Sequence, residues 1–271
     1  MATPVWFVEL IKKAFPNRFA VARLTRWPLI GPLMQHWLAE GDDLIYLTRD
    51  HVISIHQTLD APESMVLPSQ VVDYFIEKAS YHWIMNFCIC REAEKCQNYP
   101  RDLGCLFLGE AASRINPKLG RHVSKEEALE HVRRCREAGL VHLIGRNKLD
   151  TVWLGVGPGD RLLTICNCCP CCCLWRVLPY VAPAIGDQVH RMPGVTVMVG
   201  EGCTGCGTCT QDVCFVDAIH LVEGRAVISD ACRGCGRCVS ICPEGAIRIT
   251  ISNEQIVDEI IQRISSVVDV T

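Results

Sequence analysis

Eight cysteines between Cys203 and Cys242 fall into two runs of one cadence, and no other stretch restricts the chain so tightly. The first reads Cys203-Thr-Gly-Cys206-Gly-Thr-Cys209, with Cys214 after four residues; the second reads Cys232-Arg-Gly-Cys235-Gly-Arg-Cys238, with Cys242-Pro243 after three. Past each fourth cysteine the chain continues alike, Cys214-Phe-Val-Asp-Ala218-Ile219 against Cys242-Pro-Glu-Gly-Ala246-Ile247, so one small unit occurs twice. Cysteines three apart, with Gly205, Gly207, Gly234 and Gly236 between them, let the backbone curl around an inorganic cube and adopt positive φ where side chains would crowd it. Paired CxxC motifs also hold tetrahedral zinc. Three thiols at CxxCxxC spacing, repeated and closed by Cys-Pro, favour iron–sulfur.

These runs resemble bacterial-type ferredoxins that carry two [4Fe-4S] clusters. The resemblance implies a pseudo-two-fold domain in which each cube takes its fourth ligand from the other run. One cluster would then belong to Cys203, Cys206, Cys209 and Cys242, and the other to Cys232, Cys235, Cys238 and Cys214. Two departures are modest: the first run has one extra residue before Cys214, and Phe215 stands where the second has Pro243, which loses a fixed φ but no ligand.

Nineteen cysteines in 271 residues demand either a disulfide framework or metal. The opening Met-Ala-Thr-Pro-Val-Trp has no basic and apolar secretory pattern, so a reducing cytoplasm is expected, where clustered thiols bind metal. No apolar run approaches the roughly 18 residues of a spanning helix. A net charge of −3 selects no partner by itself. Locally, residues 1–40 hold five Lys/Arg against two acids and residues 118–148 hold eight against four, two surfaces on which docking is conceivable.

The expected fold class is α+β: a mixed helical and strand, cysteine-rich N-terminal domain followed by the ferredoxin-like domain. Five segments are expected: an amphipathic arm at 1–40, an iron–sulfur domain at 41–176, a linker at 177–195, the two-cluster domain at 196–251 and a helix at 252–271. In the arm, Val5 to Phe15 and Leu29 to Leu38 read as short amphipathic helices. Trp6, Trp27 and Trp37 beside Lys12, Lys13, Arg18, Arg23 and Arg26 suit a cytoplasmic membrane surface or packing on the protein itself. Leu44–Leu47 and His51–His56 read as strands of a hairpin about Thr48-Arg49-Asp50. A helix from Leu67-Pro68-Ser69 follows, with Val71, Val72, Phe75, Ile76 and Ala79 at helical spacing. Ser124-Lys-Glu-Glu127 is a capping box before a helix burying Ala128, Val132 and Cys135, ended by Gly139 and followed by a strand at Leu140–Ile144. Helix, strand and basic surface together could suggest a winged-helix DNA reader. Arg133, Arg134 and Arg136 interleave with Glu130 and Glu137 as on a solvated helix, so no nucleic acid is expected. Trp153-Leu-Gly155-Val-Gly157-Pro-Gly159 lacks any dinucleotide or ATP phosphate motif and reads as the turn into Arg161–Ile165. Leu178–Gly194, with three prolines, reads as a surface linker. Ile219–Val222, Glu223-Gly224 and Ala226–Ser229 read as a hairpin whose small sheet Ile247–Ile251 closes. Asn253 is expected to cap a helix with Ile256, Ile260, Ile261 and Ile264 on one stripe, packed back on the body.

Eleven thiols remain outside the two runs. Cys135 is expected in the core. Cys88, Cys90, Cys96 and Cys105 are expected to hold a further iron–sulfur cluster, with zinc as the chief rival. Cys166, Cys168, Cys169, Cys171, Cys172 and Cys173 cannot all serve one centre, since neighbours along a strand face opposite ways. They would complete a second additional cube or form a reactive, substrate-binding metal centre. Together, Cys88-Ile-Cys90-Arg91, Cys105-Leu-Phe-Leu-Gly109, Gly139-Leu-Val-His142 and Ile165-Cys-Asn-Cys-Cys169 resemble a group of little-characterised 4Fe-4S proteins of anaerobe type with a ferredoxin tail, over roughly residues 40–250. That resemblance implies a redox protein and nothing finer. The leading expectation is a relay of low-potential electrons between redox partners, such as a flavoprotein or another oxidoreductase subunit. The rivals are a reductase whose N-terminal centre binds substrate, with His82, Arg91 or His142 handling protons or an anion, and a cluster-sensing DNA-binding regulator.

Overall fold

The computed structural model describes residues 2–50, 53–54, 67–252 and 255–271. Three helices open the chain, α1 (Val5–Ala14), α2 (Arg18–Leu24) and α3 (Gly31–Leu38). The turn between α2 and α3 is tight: a Cβ on Gly31 would lie 2.1 Å from the Thr25 carbonyl oxygen, which only glycine tolerates. Then follow β1 (Asp43–Tyr46), β2 (Ile53–Ser54), α4 (Ser69–Lys78), β3 (His82–Met85), α5 (Ile89–Ala93), β4 (Leu106–Leu108), β5 (Gly120–His122), α6 (Lys125–Glu137), β6 (Val141–Arg146), α7 (Lys148–Leu154) and β7 (Leu163–Cys168). The remainder comprises α8 (Pro183–Gly186), β8 (Val189–Arg191), β9 (Val195–Val199), β10 (Ile219–Val222), β11 (Arg225–Ile228), α9 (Arg237–Ile241), β12 (Ile247–Ile251) and α10 (Ile256–Val267). The class is α+β, as expected.

Seven strands form one sheet in the order β5-β3-β4-β7-β6-β1-β8, antiparallel throughout except that β8 runs parallel to β1. Side chains alternate across it with the period of two that a strand imposes. Ile45, Ile84, Leu106, Leu108, Ile144, Leu163 and Ile165 point to one face, where α4, α6 and α10 bury them through Val71, Phe75, Ala128, Val132, Ile256, Ile260 and Ile264. Leu44, Tyr46, Leu143 and Cys168 point to the other, and the N-terminal helices lie over that side. At about 25 cal/mol per Å² of apolar surface, side chains of this size each contribute a few kcal/mol.

Local signals fix several elements. The α6 capping box forms as expected: the Glu127 N–H donates to Ser124 Oγ at 3.2 Å and the Ser124 N–H donates to Glu127 Oε2 at 2.9 Å. Beyond its end Gly139 takes φ +76°, the left-handed position that favours glycine. In α10 the expected stripe is present, with Ile256, Ile260 and Ile264 buried; the Asn253 cap lies outside the described residues.

Elsewhere the chain departs from its local signals. The expected hairpin of Leu44–Leu47 with 51–56 does not form: β1 pairs with β6 and β8, while β2 pairs in parallel with β12, and the other residues of 51–56 lie outside those described. Thr48 and Arg49 are not free to turn, because Thr48 Oγ1 donates to the Gly234 carbonyl at 2.8 Å and the Arg49 N–H to that of Cys235 at 3.4 Å. Leu178–Gly194 is more than a surface connection: Leu178, Val181, Val189 and Met192 are buried and β8 completes the large sheet. The β10–β11 hairpin stands alone, and β12 joins β9 and β2 in a separate three-stranded sheet. Val195 and Ile249 share one core with Val71 and Ile144, so hydrophobic packing runs across the expected boundary between residues 41–176 and 196–251.

Candidate metal centres

The β10–β11 turn, with Glu223 at φ +50° and Gly224 at φ +74°, lies against the first cysteine run at Gly205. A hollow results, lined by Cys203, Cys206, Cys209 and Cys242. Gly205, at φ +71°, sits so close that a Cβ would lie 2.0 Å from the Gly224 oxygen. A second hollow is lined by Cys214, Cys232, Cys235 and Cys238, so in each case the fourth thiol arrives from the other run. Ile219, Ala226 and Ile247 pack against thiols of both sets. Backbone N–H groups aim at sulfur: Ala226 at Cys203 (3.4 Å), Ala218 at Cys214 (3.3 Å) and Gly234 at Cys232 (3.4 Å). Such donors favour the thiolate that binds metal.

The two hollows differ in depth. Cys206 is exposed, and the Thr208 hydroxyl draws its thiol below the usual range; the Ala226 N–H does the same for Cys203. Burial pushes Cys209 up in the first hollow, and in the second it pushes up Cys232, Cys235 and Cys238.

A third gathering of thiols lies on the inner face of the large sheet. Cys166 and Cys168 project from β7 towards the N-terminal helices, and Cys105 joins them at the start of β4. Cys88 and Cys90 come from the start of α5 and Cys173 from the chain beyond β7. These six border a largely apolar cavity of about 440 Å³. Cys105 Sγ and Cys166 Sγ stand 3.7 Å apart. The buried Tyr46 hydroxyl lies 3.5 Å from Cys168 Sγ and 3.9 Å from Cys173 Sγ, while its ring meets Phe215, the neighbour of Cys214, at 4.5 Å between centroids.

Cys96 is elsewhere. Its sulfur lies within 4.8 Å of those of Cys169, Cys171 and Cys172, all four mutually that close. The expected set Cys88, Cys90, Cys96 and Cys105 is therefore divided, and so is the Cys166–Cys173 block. The hydrogen bond from Cys171, with the Cys172 N–H and the charge of Arg91, draws Cys169 down to about 5. Cys135 is fully buried in α6, where burial pushes its thiol up to about 12, in keeping with a core residue.

Buried cations tie these places together. Arg91, with no solvent exposure, donates to the Asn167 carbonyl at 2.7 Å and to that of Leu103. Arg237, between Cys235 and Cys238, donates to the carbonyls of Gly139 and Cys168, clamping the second run to the end of β7. His82 Nε2 donates to the Ile76 carbonyl at 2.7 Å. His142 Nδ1 donates to Asn167 Oδ1 at 2.8 Å, and burial depresses its pKa to about 3. All three residues singled out for proton or anion chemistry thus have structural partners. Sequence reasoning missed Tyr46, Asn167, Phe215 and Arg237. Arg237 inside the CxxCxxC run, Phe215 directly after Cys214 and Asn167 between Cys166 and Cys168 each carried a local signal in their place beside a cysteine; Tyr46 carried none.

The basic surface of α6 is internally paired: Arg133 meets Glu130 at 2.6 Å and also Glu137, and Arg121 meets Glu127 at 2.8 Å. The arm leaves Trp6, Trp27, Leu29, Leu33 and Trp37 exposed, Leu29 at 91%. Among the described residues no helix is long and apolar enough to cross a membrane.

Residues 210–253 match the family model of the LdpA Fe-S cluster-binding domain, a segment that holds Cys214, Cys232, Cys235, Cys238 and Cys242. No curated protein and no solved structure matches the chain. The match and the gathered thiols together make this chain an iron–sulfur protein.

Proposed function

We propose that the chain is a multi-cluster electron relay. Two [4Fe-4S] clusters would occupy the tail hollows, and a third would be held by four of Cys88, Cys90, Cys105, Cys166, Cys168 and Cys173. The observation that carries this reading is the Tyr46–Phe215 contact, which sets the second hollow and the six-thiol cavity wall to wall. Thiolate-bound cubes exchange single electrons with little movement, and burial, charge and hydrogen bonds to sulfur set their potentials. The exposed Cys206 end is the docking face for a redox partner such as a flavoprotein or another oxidoreductase subunit. The basic, tryptophan-bearing arm would rest on the cytoplasmic face of a membrane. Potentials in the low range follow from the likeness to two-cluster ferredoxins.

Iron and acid-labile sulfide counted after anaerobic purification, with EPR of the reduced protein, test the reading. About twelve irons per chain and three interacting signals are expected. About eight would confine clusters to the tail and sink the relay. A second reading, a reductase, draws on the apolar volume beside the six thiols, where a substrate could meet an incompletely ligated iron. A cluster spectrum altered by small oxidised substrates, with turnover, would favour it.

A further inference from the structure

One close pair does not name the metal, since Cys105 and Cys166 also stand 3.7 Å apart; four thiols that are all close to one another do. A cube carries its cysteines on different irons and so holds their sulfurs farther apart than the ligands of a single ion. One tetrahedral ion with metal–sulfur bonds of ~2.3 Å draws them to ~3.8 Å. Cys96 and Cys171 stand 3.7 Å apart and Cys171 and Cys172 3.6 Å, within a foursome that never exceeds 4.8 Å. We infer that Cys96, Cys169, Cys171 and Cys172 hold one zinc ion, distinct from every cluster.

The backbone is arranged for it. Cys169-Pro170-Cys171-Cys172 places two ligands at CxxC spacing, and the Cys172 N–H points at Cys169 Sγ at 3.4 Å, stabilising the thiolate. Cys96 comes from far back in the chain: Lys95 takes φ +50°, and the Cys96 N–H returns to the Arg91 carbonyl at 2.9 Å. Leu103, Cys135 and Leu140, with Tyr99 beside them, pack against the set, and Cys96, Cys169 and Cys172 are buried while Cys171 is half-buried. Four sulfur ligands and no open position describe a structural ion. Of the divalent metals such a set accepts, zinc binds more tightly than ferrous iron. Binding releases the protons of whichever thiols are still protonated and leaves a centre of charge −2. The positive charge of Arg91 acts on Cys169, and Arg176 donates to the Cys171 carbonyl. The ion would clip the end of α5 to the turn after β7, joining residues 75 apart in the chain.

Zinc and iron are counted on the intact, anaerobically purified protein, and X-ray absorption is recorded at the zinc edge. One zinc per chain with four sulfurs at ~2.3 Å is expected. Cys171→Ser and Cys96→Ser should each remove that zinc while the iron count and EPR stay unchanged; Cys166→Ser should keep the zinc. Cys169 also borders the large cavity, so Cys169→Ser is informative: loss of zinc alone supports the assignment. Iron lost from Cys171→Ser overturns it, as does wild-type protein without zinc or with a single iron in its place. If the serine variants fail to fold, the wild-type absorption spectrum decides alone.

Discussion

Two cysteine runs with nearly the same spelling lie in unlike surroundings. The first reaches the surface at Cys206, where the Thr208 hydroxyl holds that thiol down and the Ala226 N–H holds Cys203 down, while burial raises only Cys209. The second is pressed against the large sheet by Thr48, Arg49 and Arg237, and burial raises Cys235 and Cys238. The repeat specifies what is bound; the neighbours specify how firmly, how accessibly and at what potential. Under the proposed relay an outer centre would meet the partner and an inner one would pass the electron onward.

The sharpest way to break that comparison is to remove one ligand from each. Cys235→Ser should lose about four irons per chain and lower unfolding stability by more than ~3 kcal/mol, because the emptied site lies inside the body. Cys206→Ser should lose a similar amount of iron with little change in thermal midpoint. Equal midpoints for the two variants would erase the distinction. Next in size is Arg237→Ala, which leaves the carbonyls of Gly139 and Cys168 without their donor. A cost of about 2–4 kcal/mol is expected in denaturant unfolding. Loss of the cation should also lower the inner cluster's potential by on the order of tens of millivolts and leave the outer one unmoved in a redox titration.

Acid should act on the body before the outer run. His142 is buried neutral with its pKa depressed from 6.5 to about 3. A base whose folded pKa lies below its unfolded value keeps its stabilising contribution above the unfolded pKa and loses it as pH falls. From pH 6.5 down to about 5, roughly 2 kcal/mol should disappear. His142→Gln should flatten that slope in pH-dependent unfolding. Smallest is Tyr46→Phe, which removes the hydroxyl near Cys168 and Cys173 but keeps the ring on Phe215. Stability should fall by about 1 kcal/mol, and only the signal assigned to the six-thiol centre should shift; a shift in the outer signal would deny the ordering.

What could be seen in the chain beforehand was local. The α6 capping box, the Glu223-Gly224 turn and the isoleucine stripe of α10 are each set by residues within a turn or two, and they form. Cysteine partners outside the repeat are set by the sheet. Cys96 and Cys90 are near neighbours in sequence, yet α5 and the reversal at Lys95 send them to different centres, and no spacing rule records that reversal. The Leu44–Tyr46 strand was evident, but not its partners, because strand pairing is decided by packing rather than by the strand's own residues. In Leu178–Gly194 the three prolines, at 179, 183 and 193, obscured the short edge strand Val189–Arg191 that lies between them.

One topological detail governs how such a molecule can be made. Because β2 pairs with β12, and α10 then returns to lie against α4, the earliest and latest stretches are woven through each other. Each stretch therefore has part of its apolar face covered by the other. The core that α4 and α10 share therefore cannot close until residues 256–264 are in place, long after α4 has formed in the order of the chain.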